Sequence, residues 1–226
     1  MKITSYGHSC LGIAVNGIHL LIDPFITGNP KASHIDINTL EADFILLTHA
    51  HYDHLLDFET IVRRTGALLI SNHEIVTYYG NKDIKGHAMN QGGSHAFDFG
   101  TLKLVSAVHS SSFPDGTYGG NPVGFVLSAA NRTIYVSGDT ALTMDMKLIP
   151  MFHKLDLAVF PVGDNFTMDV EEAIVAAEFV ECDKVLGVHY DTVELIEIDH
   201  EASKSRFAEK GKELILLEPG GSMELN

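Results

Sequence analysis

The chain has 226 residues, 45% hydrophobic and 20% charged, enough apolar material for a buried core, which excludes general disorder. At ~150 residues per domain the length corresponds to about 1.5 domains, so a single domain over 1–226 is expected. Fifteen Lys and Arg against 30 Asp and Glu give a formal charge of -15, which disfavours a nucleic-acid partner held by phosphate neutralisation.

The segment from Met1 to Val15 reads as strand and lacks a signal-peptide core, and no apolar run reaches membrane-spanning length. No membrane partner and a cytoplasmic location are therefore expected. Cys10 and Cys182, the only cysteines, suit buried thiols in a reducing compartment.

In chain order, β-rich runs rich in Val, Ile, Leu and Phe are expected at Ile3–Tyr6, Cys10–Val15 and Ile18–Ile22, the last two joined by an Asn16-Gly17 type I′ turn. Phe44–Thr48 follows, then a helix over Phe58–Arg64 capped by Asp57 and ended by Gly66. Leu68–Ile70 leads into a helix over His73–Tyr79 capped by Asn72. Strands are then expected at Leu102–Val108, Val123–Ser128, Thr133–Ser137 and Leu157–Val162. Asp169 opens a helix to Val180 with acids in its first turn and an apolar stripe of Ala173, Ile174, Ala177 and Val180. Lys184–Val188 is the next strand, and Asp199 or His200 begins a helix that Gly211 stops after Lys210. Leu214–Leu217 and Ser222–Leu225 read as a closing pair across Pro219-Gly220-Gly221. Strands early and late, with helices between, point to an α/β (α+β) protein with four layers, αββα.

Histidine is abundant, at 13 residues. In Thr48-His49-Ala50-His51-Tyr52-Asp53-His54 an apolar strand ends, and four potential ligands fall within six residues. The two-residue step from His49 to His51 lets an extended chain aim both imidazoles at one point. Asp53 and His54 are placed for a second point a few ångströms away. His109 ends Leu102–Val108, Asp139 follows Thr133–Ser137 after one glycine, and His189 ends Lys184–Val188. Carboxyl ends of buried strands are where layered sheets open to ligands.

His49-x-His51-x-Asp53-His54, His109, Gly138-Asp139 and His189 together resemble the five-motif signature of the metallo-β-lactamase superfamily. Gly7-His8-Ser9, Asp23-Pro24-Phe25, Gly92-Gly93-Ser94-His95, Gly138-Asp139-Thr140 and Asp164-Asn165-Phe166-Thr167-Met168 look more specifically like the uncharacterised bacterial and archaeal metal-dependent hydrolases, a group similar to the ascorbate-6-phosphate lactonases. The resemblance implies one metal on His49, His51 and His109, a second on Asp53, His54 and His189, and Asp139 bridging both. Imidazoles with few carboxylates and no thiolates suit two zinc ions first, with manganese or iron as alternatives. Two ions ~3.5–4 Å apart share an exposed water, whose pKa falls towards ~7. Two divalent cations less Asp53, Asp139 and a hydroxide leave roughly one positive charge, which favours an anionic or electron-rich small molecule.

The function expected from this is hydrolysis of a small ester, lactone or phosphoester by a metal-bridging hydroxide, with Asp53 and Asp139 as the catalytic carboxylates. A phosphodiesterase or nuclease is the rival enzyme reading, and a metal-bearing scaffold with little turnover is the non-enzymatic one. Homo-oligomers are expected from the lactonase resemblance and from apolar edge strands that need cover. His8 and Asp23 read either as groups behind the ligands that fix their tautomers or as polar strand-end turns. Thr48 and Thr140 are hydroxyl neighbours of the ligands or ordinary turn residues. Asn165 either faces a substrate anion or belongs to a helix-capping segment. The Ser110–Gly120 segment reads as a mobile wall over the site or as a plain hairpin loop. His73, His87, His95 and His153 fall outside the pattern.

Overall fold

The computed structural model describes Met1–Asn226. The first half supplies β1 (Lys2–Gly7), β2 (Cys10–Val15), β3 (Ile18–Ile22), β4 (Phe44–Leu46), α1 (Tyr52–Leu55), α2 (Phe58–Thr65), β5 (Leu68–Asn72), α3 (His73–Gly80) and β6 (Gly86–Met89). The chain then crosses to β7 (Ser94–Phe97), β8 (Gly100–Ser106), β9 (Val123–Ala129), β10 (Arg132–Val136), β11 (Leu157–Pro161), α4 (Val170–Phe179), β12 (Lys184–Val188), α5 (His200–Glu209), β13 (Glu213–Ile215) and β14 (Ser222–Glu224).

Two seven-stranded sheets result, in the orders β14-β1-β2-β3-β4-β5-β6 and β13-β12-β11-β10-β9-β8-β7. In each, three antiparallel pairings give way to three parallel ones, β3 to β6 in the first and β10 to β13 in the second.

Strand alternation decides the layers. Ile13, Leu20, Ile22, Leu46 and Ile70 meet Phe125, Leu127, Ile134, Val136 and Val159 between the sheets. Their neighbours Leu21, Ile45, Leu47 and Leu69 point the other way, onto Phe58, Ile61 and Ile75 of α2 and α3. On the opposite side Val126, Tyr135, Ala158, Phe160 and Val185 pack against Ala173, Ala177 and Phe207 of α4 and α5. The fold is thus the αββα sandwich expected.

Asn16 and Gly17 both have positive φ, as a type I′ turn requires. Asn72, Asp169 and Asp199 cap α3, α4 and α5 through side-chain oxygens. Three expectations need correction. Asp57 does not cap α2; its carboxylate instead accepts from Ile26 N, Thr27 N and Thr27 Oγ1, holding the 26–27 turn. β13 and β14 do not pair with each other, because β13 extends one sheet alongside β12 and β14 extends the other alongside β1. The Pro219-Gly220-Gly221 segment therefore crosses between sheets, tied to β1 by Gly220 N to Ser5 O at 2.7 Å and Ser5 N to Gly221 O at 2.9 Å. Finally, β4 ends at Leu46 rather than Thr48, because the Thr48 N–H goes to the Asp23 carboxylate instead of a neighbouring strand. Both cysteines are free and buried.

Candidate metal centre

Six chain segments bring their residues to one end of the sandwich. His8 follows β1, Asp23 follows β3, His49 to His54 follow β4, His109 follows β8, Asp139 follows β10 and His189 follows β12. The backbone is strained where it must turn sharply into the site: His8, Asp23 and His189 have φ of 52°, 44° and 56°. A backbone hydrogen bond from His189 N to His8 O, at 3.0 Å, ties two of these turns together across the sheets.

Asp139 Oδ2 is the geometric centre. It lies 3.1 Å from His189 Nε2, 3.2 Å from His54 Nε2, 3.8 Å from His109 Nε2 and 4.0 Å from His49 Nε2. Donor atoms of His49, His51 and His109 fall within 4.8 Å of one another, as do those of His8, Asp53, His54 and His189, and those of His49, His54 and Asp139. All seven residues expected as ligands therefore converge. Around them is a cavity of about 330 Å³ lined by His51, Asp53, His109, Ser110, Asp139, Phe166 and His189.

Hydrogen bonds behind the cluster fix which nitrogen faces inward. Asp23, fully buried, accepts from Thr48 N at 2.8 Å and Thr48 Oγ1 at 2.6 Å, and its Oδ2 is 2.8 Å from His54 Nδ1. With Nδ1–H donated to Asp23, His54 turns its Nε2 toward the centre. Thr48 Oγ1, which donates to Asp23, accepts from His49 Nδ1 at 3.0 Å, so the same carboxylate also sets the His49 tautomer. His51 Nε2 is 3.2 Å from Ser110 Oγ, which leaves its Nδ1 free to face His49 Nε2 at 3.0 Å. Gly138, at φ 64°, permits this assembly: a Cβ there would sit 2.9 Å from Thr48 Cβ and Cγ2.

The inward-facing atoms fit a cation. His54 Nε2 and Asp139 Oδ1 are buried without a hydrogen-bond partner. His54 Nε2 is close to Asp139 Oδ2, but the two are not aligned as donor and acceptor. Buried acceptors aimed at one another are unfavourable unless positive charge lies between them. The electrostatics agree. Burial works against charge on His54, yet Asp139 and Asp23 outweigh it and hold its pKa well above the imidazole range. His189 is likewise raised to about 9, Asp139 overcoming burial. Burial would raise Asp139, but His189 and His54 draw it well below the carboxylate range. Burial and His54 keep His49 well below 6.5, and burial also lowers His51 and His109.

His8 is held neutral, its pKa lowered to about 4 by burial and by His189. Its Nε2 lies 3.1 Å from Asp53 Oδ2 and its Nδ1 2.9 Å from Thr192 Oγ1. Asp53 is 37% exposed and lines the cavity, so it reaches both the cluster and solvent.

Of the remaining expectations, Thr48 joins the network, and Thr140 Oγ1 accepts from Val108 N at 2.9 Å, steadying the turn into His109. Asn165 is exposed, and it is the neighbouring Phe166 that lines the cavity. The Ser110–Gly120 segment is a hairpin loop pinned by buried Phe113, whose ring stacks on Tyr78 at 3.7 Å, and by a Ser112–Tyr118 bridge. Sequence reasoning missed Thr192 altogether; a lone threonine three residues after a strand-end histidine carries no signal. His87 and His95 lie with ring centroids 4.2 Å apart, tilted by 39°, on β6 and β7, away from the centre.

Residues 19–190 match the sequence family described as Beta-lactamase superfamily domain. A UPF0173 metal-dependent hydrolase of Flavobacterium johnsoniae is 62% identical over 225 residues, covering 100% of each chain. The UPF0173 metal-dependent hydrolase YtkL of Bacillus subtilis is 44% identical over 207 residues, covering 89% of this chain and 91% of its own. Among solved structures, Igni18, a metallo hydrolase from Ignicoccus hospitalis, is 32% identical with a TM-score of 0.90, covering 100% of this chain and 99% of its own. The isothiocyanate hydrolase from Delia radicum gut bacteria shares the fold, with a TM-score of 0.79 at 18% identity over 99% and 98% of the two chains.

Proposed function

This chain belongs to the metallo-β-lactamase superfamily, among its metal-dependent hydrolases, and from that premise we propose a dinuclear hydrolase acting on a small ester, lactone or phosphoester. His49, His51 and His109 would hold one cation and Asp53, His54 and His189 the other, with Asp139 available to both. Zinc suits the donor set best, and manganese or iron also fits. When bound, two such ions lower the pKa of a shared water towards ~7 and polarise a substrate oxygen.

The protein's own contribution is positional. Asp23 and Thr48 keep His49 and His54 in the tautomer that offers Nε2. His8 donates from Nε2 to Asp53 Oδ2, holding that carboxylate at the cavity wall, where it orients the attacking water and accepts its proton. The buried free thiols suit a reducing cytoplasm, and exposed edge strands suit assembly into homo-oligomers.

The observation that carries this reading is Asp139 Oδ2 lying within 4.0 Å of four imidazole nitrogens. His51→Ala and Asp139→Ala are each expected to lower metal content and hydrolysis of chromogenic esters together. Full activity in metal-stripped protein, or in an Asp139→Ala variant that has lost its metal, would overturn it.

A further inference from the structure

The cavity's wall chemistry defines the substrate's charge. Apart from the proposed ligands, the cavity is lined only by Ser110 and Phe166. None of the seven residues lining the cavity is lysine or arginine, and Lys31, in the segment after β3, is taken up by Asp191 at 3.4 Å. The loop that brings Phe166 to the cavity also carries the exposed carboxylate of Asp164. Phe166 itself is 53% exposed.

Recognition of phosphate or carboxylate groups relies on guanidinium, ammonium or helix-terminal donors that match the anion. A wall without such cations and with the Asp164 carboxylate beside it repels an approaching anion at any distance not screened by salt. Positive charge is confined to the cluster itself, where the scissile group sits. Apolar surface left exposed beside a site gains free energy when a ligand covers it.

Resting on the hydrolase reading above, we infer that the substrate is an uncharged ester or lactone bearing an apolar substituent, which packs on Phe166, and that phosphoesters and other anionic esters are selected against. Hydrolysis then has a charge logic. The water oxygen adds to the acyl carbon, the acyl C–O bond breaks, and the alcohol leaves with a proton. The carboxylic acid product loses its proton at neutral pH, and Asp164 repels the resulting carboxylate outward.

The test uses the metal-loaded full chain and three probes: p-nitrophenyl butyrate, p-nitrophenyl hemisuccinate and bis(p-nitrophenyl) phosphate. The first two share leaving group and ester chemistry and differ in the acyl chain's terminal charge, so their ratio of kcat/KM reads charge selection. The butyrate is expected to be preferred by about tenfold or more. Phe166→Ala is expected to raise KM for the butyrate several-fold with kcat and metal content retained. Asp164→Asn, which keeps the positive-φ backbone and the acceptor for Asn165 N but removes the charge, is expected to narrow the butyrate-to-hemisuccinate ratio, and to do so less at high salt. Equal or better turnover of the hemisuccinate, or cleavage of the phosphodiester with neither ester cleaved, overturns the inference and leaves the hydrolase reading intact. Failure to turn over any of the three with metal bound overturns both.

Discussion

Replacing Asp23 by Asn separates the charge of this buried residue from its shape. The backbone tolerates the change, since Asn adopts positive φ as readily as Asp and the native φ is 44°. The amide oxygen can keep the bond from Thr48 N, now made by Oδ1 at 2.8 Å. The amide nitrogen then replaces Oδ2, which lies 2.8 Å from His54 Nδ1 and 2.6 Å from Thr48 Oγ1. Two N–H donors would face each other unless His54 moves its proton to Nε2, the atom turned toward Asp139. Thr48 Oγ1 must also accept from the amide nitrogen, which turns its own proton away from position 23 and sets it in competition with His49 Nδ1–H. His54 thereby loses, and His49 holds less firmly, the tautomer that offers a lone pair to a cation.

Losing such an orienting partner lowers metal affinity by about 10- to 100-fold, or about 1.4–2.8 kcal/mol. Loss of the charged hydrogen bond costs the fold about 1.5–3 kcal/mol more. Competition against a chromophoric zinc chelator measures the first quantity, and urea unfolding of the metal-free protein measures the second. A folded Asp23→Asn variant that binds zinc within twofold of wild type would refute the claim that this carboxylate sets the tautomers.

Two further outcomes follow from the same geometry. Gly138→Ala places a Cβ 2.9 Å from Thr48 in a left-handed conformation, so thermal denaturation should show a loss of about 2–3 kcal/mol, with metal affinity falling as Asp139 is displaced. Asp191, two residues after His189, has its pKa held below the usual value, despite burial, by Ile198 N–H, His200 and Lys31. A depressed folded pKa gives stability that is present above the unfolded value of ~3.9 and lost as pH falls through the folded one. Asp191→Asn should therefore be less stable than wild type at pH 7, and the difference should shrink below about pH 4 in urea titrations.

Short continuous apolar runs made the central strands legible, because β4, β9, β11 and β12 bury both faces in a four-layer stack and are apolar along most of their length. The residues of the candidate centre were legible because strand ends deliver them in short, chemically dense words such as His49-x-His51-x-Asp53-His54. Less legible was anything set by distant partners. Asp57 has the local look of a helix cap, yet Ile26 and Thr27, some thirty residues earlier, take its carboxylate. Leu214–Leu217 and Ser222–Leu225 look like hairpin arms, but the open edges of β1 and β12 offer each a longer-range partner. β6 and β7, exposed and rich in His and Gly, carry no strand signal and are held by pairing to β5 and β8. Thr48 and Thr192 owe their roles to Asp23 and His8, which only the folded chain brings within reach.

Metal stoichiometry after reconstitution bears most directly on the central claim. Elemental analysis of stripped protein, reloaded with zinc and freed of excess, should give two ions per chain, falling below one in Asp139→Ala. A single ion per chain in the wild type, or two retained without Asp139, would contradict a shared carboxylate between paired cations.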